Sequence, residues 1–154
     1  MEHPVYLERQ WIVLIWIILP FATLITLGTQ LLAGVHIDLG LMLIAPLINI
    51  VVLLLLGRLN VSIDATHLRW SFGWFGWPAW NVALADIDTA GVTTTRWIEG
   101  FGIKKTSQGM LYNASGNAAV RITLRNGTSL RLGTQDPQRL LSYLSPRLTH
   151  NAAR

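Results

Sequence analysis

The sequence contains no cysteine, which excludes disulfides and thiolate metal ligands and suits a reducing compartment. Charge is scarce too. Only 13% of the 154 residues are Asp, Glu, Lys or Arg, against 51% hydrophobic, a balance too apolar for an ordinary soluble domain of this length. The scarcity is concentrated: no ionisable residue occurs from Trp11 to Leu32 or from Leu39 to Leu56. Patterns that carry catalysis are also missing. There is no GxSxG, HExxH or phosphate-loop motif, and His3, His36, His67 and His150 form neither a helical i, i+4 pair nor a ligand cluster. Asp86 and Asp88 stand without an acid, base or metal partner nearby in sequence and read as a turn into a strand. The expectation is therefore a non-enzyme with no catalytic residue, no cofactor and no metal site. A sequence pI near 10.1 would suit nucleic acid, but the cations are dispersed and no nucleic-acid motif is present, so no nucleic-acid partner is expected.

What is present begins with the two uncharged runs. At about 1.5 Å per helical residue they span roughly 33 and 27 Å, close to the hydrocarbon thickness of about 30 Å. Residues 1–57 thus read as a two-helix hairpin anchor, with helices over about 11–32 and 39–56. A signal peptide fits the first run poorly, because Glu2 and Glu8 flank it beside a single Arg9 and no small-x-small cleavage site follows. Pro20 and Pro46 are tolerable in membrane helices, and Asn49 and Gln30 are expected to face the partner helix or, for Gln30, the interface. Homo-oligomerisation through the hairpin stays open, although no GxxxG pair marks a dimer face. Residues 33–38 carry no Lys or Arg, whereas Arg9 precedes the hairpin and Arg58 and Arg69 follow it. That bias predicts a multi-pass protein of the plasma (inner) membrane with both termini in the cytoplasm. On that face the sequons at Asn60, Asn113 and Asn126 are chance matches.

From Arg58 onward the chain changes character, carrying eleven of the twelve Lys and Arg residues but five of the eight Asp and Glu. This stretch, taken as a domain over 58–147 with a flexible tail at 148–154, reads as mainly β. "LNVSI" and "LRWSF" alternate about Asp64 to His67 as a hairpin, with Leu68, Trp70 and Phe72 on one face. "AWNVAL", "TAGVTTTR" and "GMLYNA" supply further β-type runs. In "AAVRITLRNGTSLRLG" a two-residue Asn126-Gly127 turn would set Ile122 against Arg131, mixing core with solvent positions. A three-residue loop with Gly127 left-handed instead pairs Val120 with Leu132 and Ile122 with Leu130. The same register sets Arg121 opposite Arg131, a like-charge pair that costs a few tenths of a kcal/mol unless an anion covers it. A solvated outer face and an anion-contact site are the two readings of that pair. Asp136 then caps a helix that starts at Pro137, buries Leu140, Leu141 and Leu144, and ends at Pro146.

Strands followed by one C-terminal amphipathic helix are the plan of a pleckstrin-homology-like antiparallel sheet or barrel. The run Gly100-Phe101-Gly102-Ile103, the strand Met110 to Asn113, the hairpin Val120 to Leu132 and the element Gly133-Thr134-Gln135-Asp136-Pro137-Gln138-Arg139-Leu140 occur in the order found in such bacterial domains. Over about the last ninety residues the chain resembles the bacterial pleckstrin-homology-like domains of small membrane proteins. The resemblance implies a binding or scaffold module without chemistry. Eukaryotic relatives often hold inositol phosphates with basic residues in the first loop, but here that loop, Asp64 to His67, has an acid and no Lys or Arg. The available cations are Lys104 and Lys105 in a Gly-flanked loop, Arg96 beside Trp97, and the pair Arg121 and Arg131.

The stretch "FGWFGWPAW" sets Trp74, Phe75 and Trp77 among Gly73, Gly76 and Pro78. Such a turn either dips large aromatics into the headgroups beside its own anchor or fills the domain's open end and packs on the emerging second helix. The candidate lipid-contact residues are therefore Trp74, Phe75, Trp77, Lys104, Lys105, Arg121 and Arg131. The expected partners are the bilayer, its anionic headgroups and a membrane protein, with a scaffold or assembly subunit lacking lipid recognition as the alternative role.

Overall fold

The computed structural model describes residues 5–34, 39–96 and 102–152. The expected loop at 35–38, together with Trp97, Glu99, Gly100 and Phe101, lies outside the described residues, as do 153–154. One antiparallel sheet is ordered β1-β2-β3-β4, from β1 (Tyr6–Trp11), β2 (Arg58–Ile63), β3 (His67–Phe72) and β4 (Ala79–Ala83). The other is ordered β5-β8-β9-β7-β6, from β5 (Ile87–Thr94), β6 (Gly102–Thr106), β7 (Gly109–Asn113), β8 (Ala118–Leu124) and β9 (Ser129–Gly133). Helices α1 (Val13–Leu32) and α2 (Leu39–Leu56) leave the first sheet between β1 and β2, and α3 (Pro137–Ala152) closes the chain.

The two sheets share one core. Alternation in β2 and β3 sends Leu59, Val61, Ile63, Leu68, Trp70 and Phe72 inward, all nearly or fully buried. Across from them lie Val120, Ile122 and Leu132 on β8 and β9, and Tyr112 on β7 stacks edge-on to Trp70 at 5.1 Å. The β8–β9 hairpin takes the three-residue loop: Val120 pairs with Leu132, Ile122 with Leu130, and Gly127 has φ +83°. That hairpin inserts β9 between β8 and β7, so β7 and β9 run parallel and the second sheet is not wholly antiparallel.

Over one end of the core lies α3, packed on β5, β8 and the short 3₁₀ turn Leu84–Asp86. Its start is capped as expected, with Arg139 N donating to Asp136 Oδ1 at 2.9 Å, and Leu140 and Leu144 are fully buried. Pro146 does not stop the helix, which continues to Ala152, so the expected flexible tail is helical through that residue. Proline removes one backbone donor, and beside that gap Arg147 Nη1 donates back to Tyr143 O at 2.7 Å.

Residues 6–11 correct the expected domain limits. They form a strand, so the β domain begins before the first apolar helix, which starts at Val13 rather than Trp11. Polarity along β1 is inverted relative to the usual rule: Tyr6, Glu8 and Gln10 point inward while Leu7 and Trp11 point outward. Among the described residues the inward polar groups are matched except for Gln10 Oε1, which is buried without a hydrogen-bond partner. Gln10 Nε2 donates to Gly133 O at 2.8 Å, and the Glu8 carboxylate accepts from Tyr6 Oη, Thr134 Oγ1 and Gln135 N. These bonds tie β1 to the corner where β9 turns into α3.

Helix α1 is long and apolar enough to cross a membrane, and none of its residues is buried within the chain. Helix α2 packs beside it, joined by Asn49 Nδ2, which donates to Leu19 O at 3.1 Å and Thr23 Oγ1 at 2.5 Å. Asn49 thus faces the partner helix, as its polarity in an apolar run requires.

Candidate functional site

The helical hairpin is an insertion into the β1–β2 connection, with one residue at each joint. Ile12 alone separates β1 from α1, and Gly57 alone separates α2 from β2; both are buried. The β1–β2 ladder runs to its last pair, Trp11 with Arg58, and Ile12 N then donates to Gly57 O at 3.0 Å. Gly57 O also accepts from Trp16 Nε1 at 3.1 Å. The sheet therefore enters the helix pair without a flexible linker.

The aromatic loop between β3 and β4 is fastened to this neck. Gly73 N donates to Arg58 O at 2.7 Å, and Trp74 N donates to Leu54 O at 2.9 Å. Leu54 O is one of the last carbonyls of α2, so a loop distant in sequence caps that helix. Gly73 adopts φ +70°, and a Cβ there would lie 2.4 Å from Leu54 O and 2.5 Å from Leu55 O. Only glycine admits that approach.

Trp11, Trp16 and Trp74 form a cluster of edge-on rings, with centroids 5.3 to 5.7 Å apart. Each such contact contributes about 0.5–1.5 kcal/mol beyond the area it buries. The Arg58 guanidinium lies over the Trp74 ring, its Cζ 5.1 Å from the centroid. Among the described residues Phe75 and Trp77 have no such packing, and they are 74% and 65% exposed. The two readings of the loop are thus divided among its residues. Trp74 packs where the helices emerge, whereas Phe75 and Trp77 project outward and fill no core.

The other sequence-derived candidates lie elsewhere. Lys104 and Lys105 are exposed, but they sit on β6, the edge strand of the second sheet, rather than in a loop. Strand pairing with β7 fixes them there, Lys104 opposite Leu111 and Lys105 opposite Met110. Arg121 and Arg131 are register partners as expected, yet the outer-face picture fails for Arg131, which is 2% exposed. Their charges are turned onto the β6–β7 hairpin: Arg131 Nη2 donates to Thr106 Oγ1 at 3.0 Å, and Arg121 Nη2 donates to Gln108 Oε1. Both side chains thus brace that turn.

Trp11, Trp16 and Arg58 are the neck residues that sequence reading missed as a site. Their signal lay in position: aromatics and an arginine within a few residues of both ends of the apolar hairpin, where interface anchors concentrate. Among the described residues no group of His, Asp and Glu is arranged to hold a metal ion. Comparison with protein-family models, curated proteins and solved structures found no match.

Proposed function

We propose that this chain is a membrane-anchored, non-enzymatic, pleckstrin-homology-like module that works seated on the cytoplasmic surface of its own bilayer. In this reading α1 and α2 both cross the membrane, both termini lie in the cytoplasm, and the Trp11, Trp16 and Trp74 cluster lies at headgroup level. Phe75 and Trp77 enter the interface beside it. The observation that carries the reading is the neck, where single-residue joints and a loop capping α2 set the exposed aromatics at the mouth of an apolar hairpin. Rings with one apolar and one polar side favour that layer.

The absence of native cysteine allows a direct test on the full chain. A fluorophore on Phe75→Cys, in nanodiscs containing lipids spin-labelled near the headgroup, is expected to be quenched. One on Thr66→Cys, at the opposite end of the first sheet, is expected not to be. An unquenched Phe75 probe refutes bilayer seating and leaves the scaffold role, with Phe75 and Trp77 as a protein contact.

A further inference from the structure

The outer face of the first sheet continues upward from Trp11 and Arg58. Its register sets three rows above the neck: Trp11 with Arg58, then Arg9 with Asn60 and Ser71, then Leu7 with Ser62, Arg69 and Asn81. At a strand rise of about 3.4 Å per residue, successive rows stand about 7 Å apart. Arg9 is the diagonal neighbour of Arg58, within reach of a shared ligand for two long side chains. Three arginines on this face meet one carboxylate, that of Asp64, whose Oδ2 lies 3.1 Å from Arg69 Nε. Among the described residues, Arg9 and Arg58 ion-pair with no carboxylate.

The aromatic loop folds along this face and makes a trough of about 360 Å³, lined on its polar side by Asn60, Ser62, Arg69, Ser71 and Asn81 and otherwise by Gly76, Ala79, Trp70 and Trp80. Asn60 is held by its bond from Nδ2 to Gly73 O at 2.9 Å, which leaves its Oδ1 available. Among the described residues, the side chains of Ser62, Ser71 and Asn81 hydrogen-bond to no other protein group. The trough thus has a polar side with one cation, Arg69, and an aromatic side, and Arg9 and Arg58 stand in the rows next to its lining.

We propose that this trough holds the headgroup of one anionic phospholipid, its phosphodiester between Arg58 and Arg9 and its polar end among Ser62, Ser71, Asn81 and Arg69. The assignment rests on the bilayer seating proposed above, which sets the Arg58 row at the phosphates. Arginine pairs with phosphate in a planar fork, and serine and asparagine suit the hydroxyls of a glycerol-type headgroup.

The test uses the full chain in nanodiscs of phosphatidylcholine mixed with phosphatidylglycerol, with lipid that stays bound after release counted by native mass spectrometry. Wild type is expected to retain phosphatidylglycerol over phosphatidylcholine. The double substitution Arg9→Gln/Arg69→Gln, at two exposed positions, should cut that preference by more than the roughly fivefold that one arginine near an anionic surface contributes, because Arg69 acts on the bound headgroup in addition. Lys104→Gln/Lys105→Gln should leave it unchanged. Equal retention by wild type and Arg9→Gln/Arg69→Gln overturns the site, as does an equal loss in the lysine variant. Displacement of the lipid by soluble glycerol 3-phosphate at matched concentration would make this a soluble-anion site and overturn the lipid assignment. The Phe75→Cys probe in pure phosphatidylcholine reads seating alone, so failure of the seating and failure of the headgroup site give different results.

Discussion

Replacing Gly73 by alanine tests the junction between loop and anchor, and Gly76→Ala supplies its control. Both glycines have positive φ, +70° and +67°, so both variants carry the left-handed penalty of about 1–2 kcal/mol. They differ in surroundings. A Cβ at Gly76 meets only Ser71 Oγ at 3.7 Å, an ordinary contact, whereas at Gly73 it meets two backbone oxygens of α2 at 2.4 and 2.5 Å. Relieving that overlap requires the loop to withdraw, which stretches Gly73 N to Arg58 O and Trp74 N to Leu54 O. Each of those bonds has a net value of about 0.5–1.5 kcal/mol, so Gly73→Ala should cost about 1–3 kcal/mol more than Gly76→Ala. Denaturant unfolding of the full chain in detergent micelles, followed by tryptophan emission, measures both. Losing its lock on α2 should also shift emission from Trp74 in the folded state of Gly73→Ala alone. Equal losses in the two variants would mean that the loop does not cap α2, and the seating argument would lose its geometry.

Gln10→Ala removes the donor to Gly133 O inside the core and should cost about 1–3 kcal/mol, with faster hydrogen exchange along β1; unchanged exchange would detach β1 from the β9–α3 corner. Burial, together with Glu8 beside it, raises the Tyr6 phenol above its ordinary value of 10.0. The unfolded chain therefore gives up this proton first, so the contribution is complete below about pH 10 and is lost as pH rises above that. Tyr6→Phe should flatten the alkaline fall in stability, leaving a slope from Tyr112, which burial also raises; an unaltered slope would rule Tyr6 out as its source. Asn49→Leu removes the bonds to Leu19 O and Thr23 Oγ1 and should loosen the helix pair by about 0.6–2 kcal/mol, read as greater separation of spin labels on α1 and α2; an unchanged distance would make the bonds dispensable.

Where hydrophobic period and burial agree, the fold was legible. The β2–β3 hairpin, the β8–β9 register and the Asp136 cap follow from alternation, one glycine and one capping acid. Strand β1 was hidden because its inward residues are Tyr6, Glu8 and Gln10, and the partners of Glu8 and Gln10 at Gly133, Thr134 and Gln135 lie more than a hundred residues away. Burial of Arg131 was hidden for a related reason: a guanidinium that braces a neighbouring hairpin looks the same in sequence as a solvated one. Of the candidate site, the aromatics at 74, 75 and 77 could be read from their glycine flanks. Trp11 and Trp16 were marked in the sequence only by their place near the hairpin's end, and it is the insertion of the hairpin between two adjacent strands that brings them to Trp74.

That insertion also changes how the charges should be ranked. A domain on a long linker presents every face to the membrane in turn, and its basic residues count roughly equally. With one-residue joints at Ile12 and Gly57, each residue of the first sheet has a set height above the neck, and height decides which cations matter. Electrostatic attraction to an anionic surface fades over a Debye length of about 8–10 Å at ordinary salt. In the seating proposed above, the Arg58 and Arg9 rows, at the neck and about 7 Å above it, fall inside that distance. The Arg69 row, about 14 Å up, falls outside it for the bare surface and comes within contact only of a headgroup that has entered the trough. Arg69 therefore separates a bound lipid from general attraction. A headgroup in the trough makes Arg69→Gln alone weaken phosphatidylglycerol retention, while attraction to the surface leaves that variant like wild type and reserves the loss for Arg9→Gln.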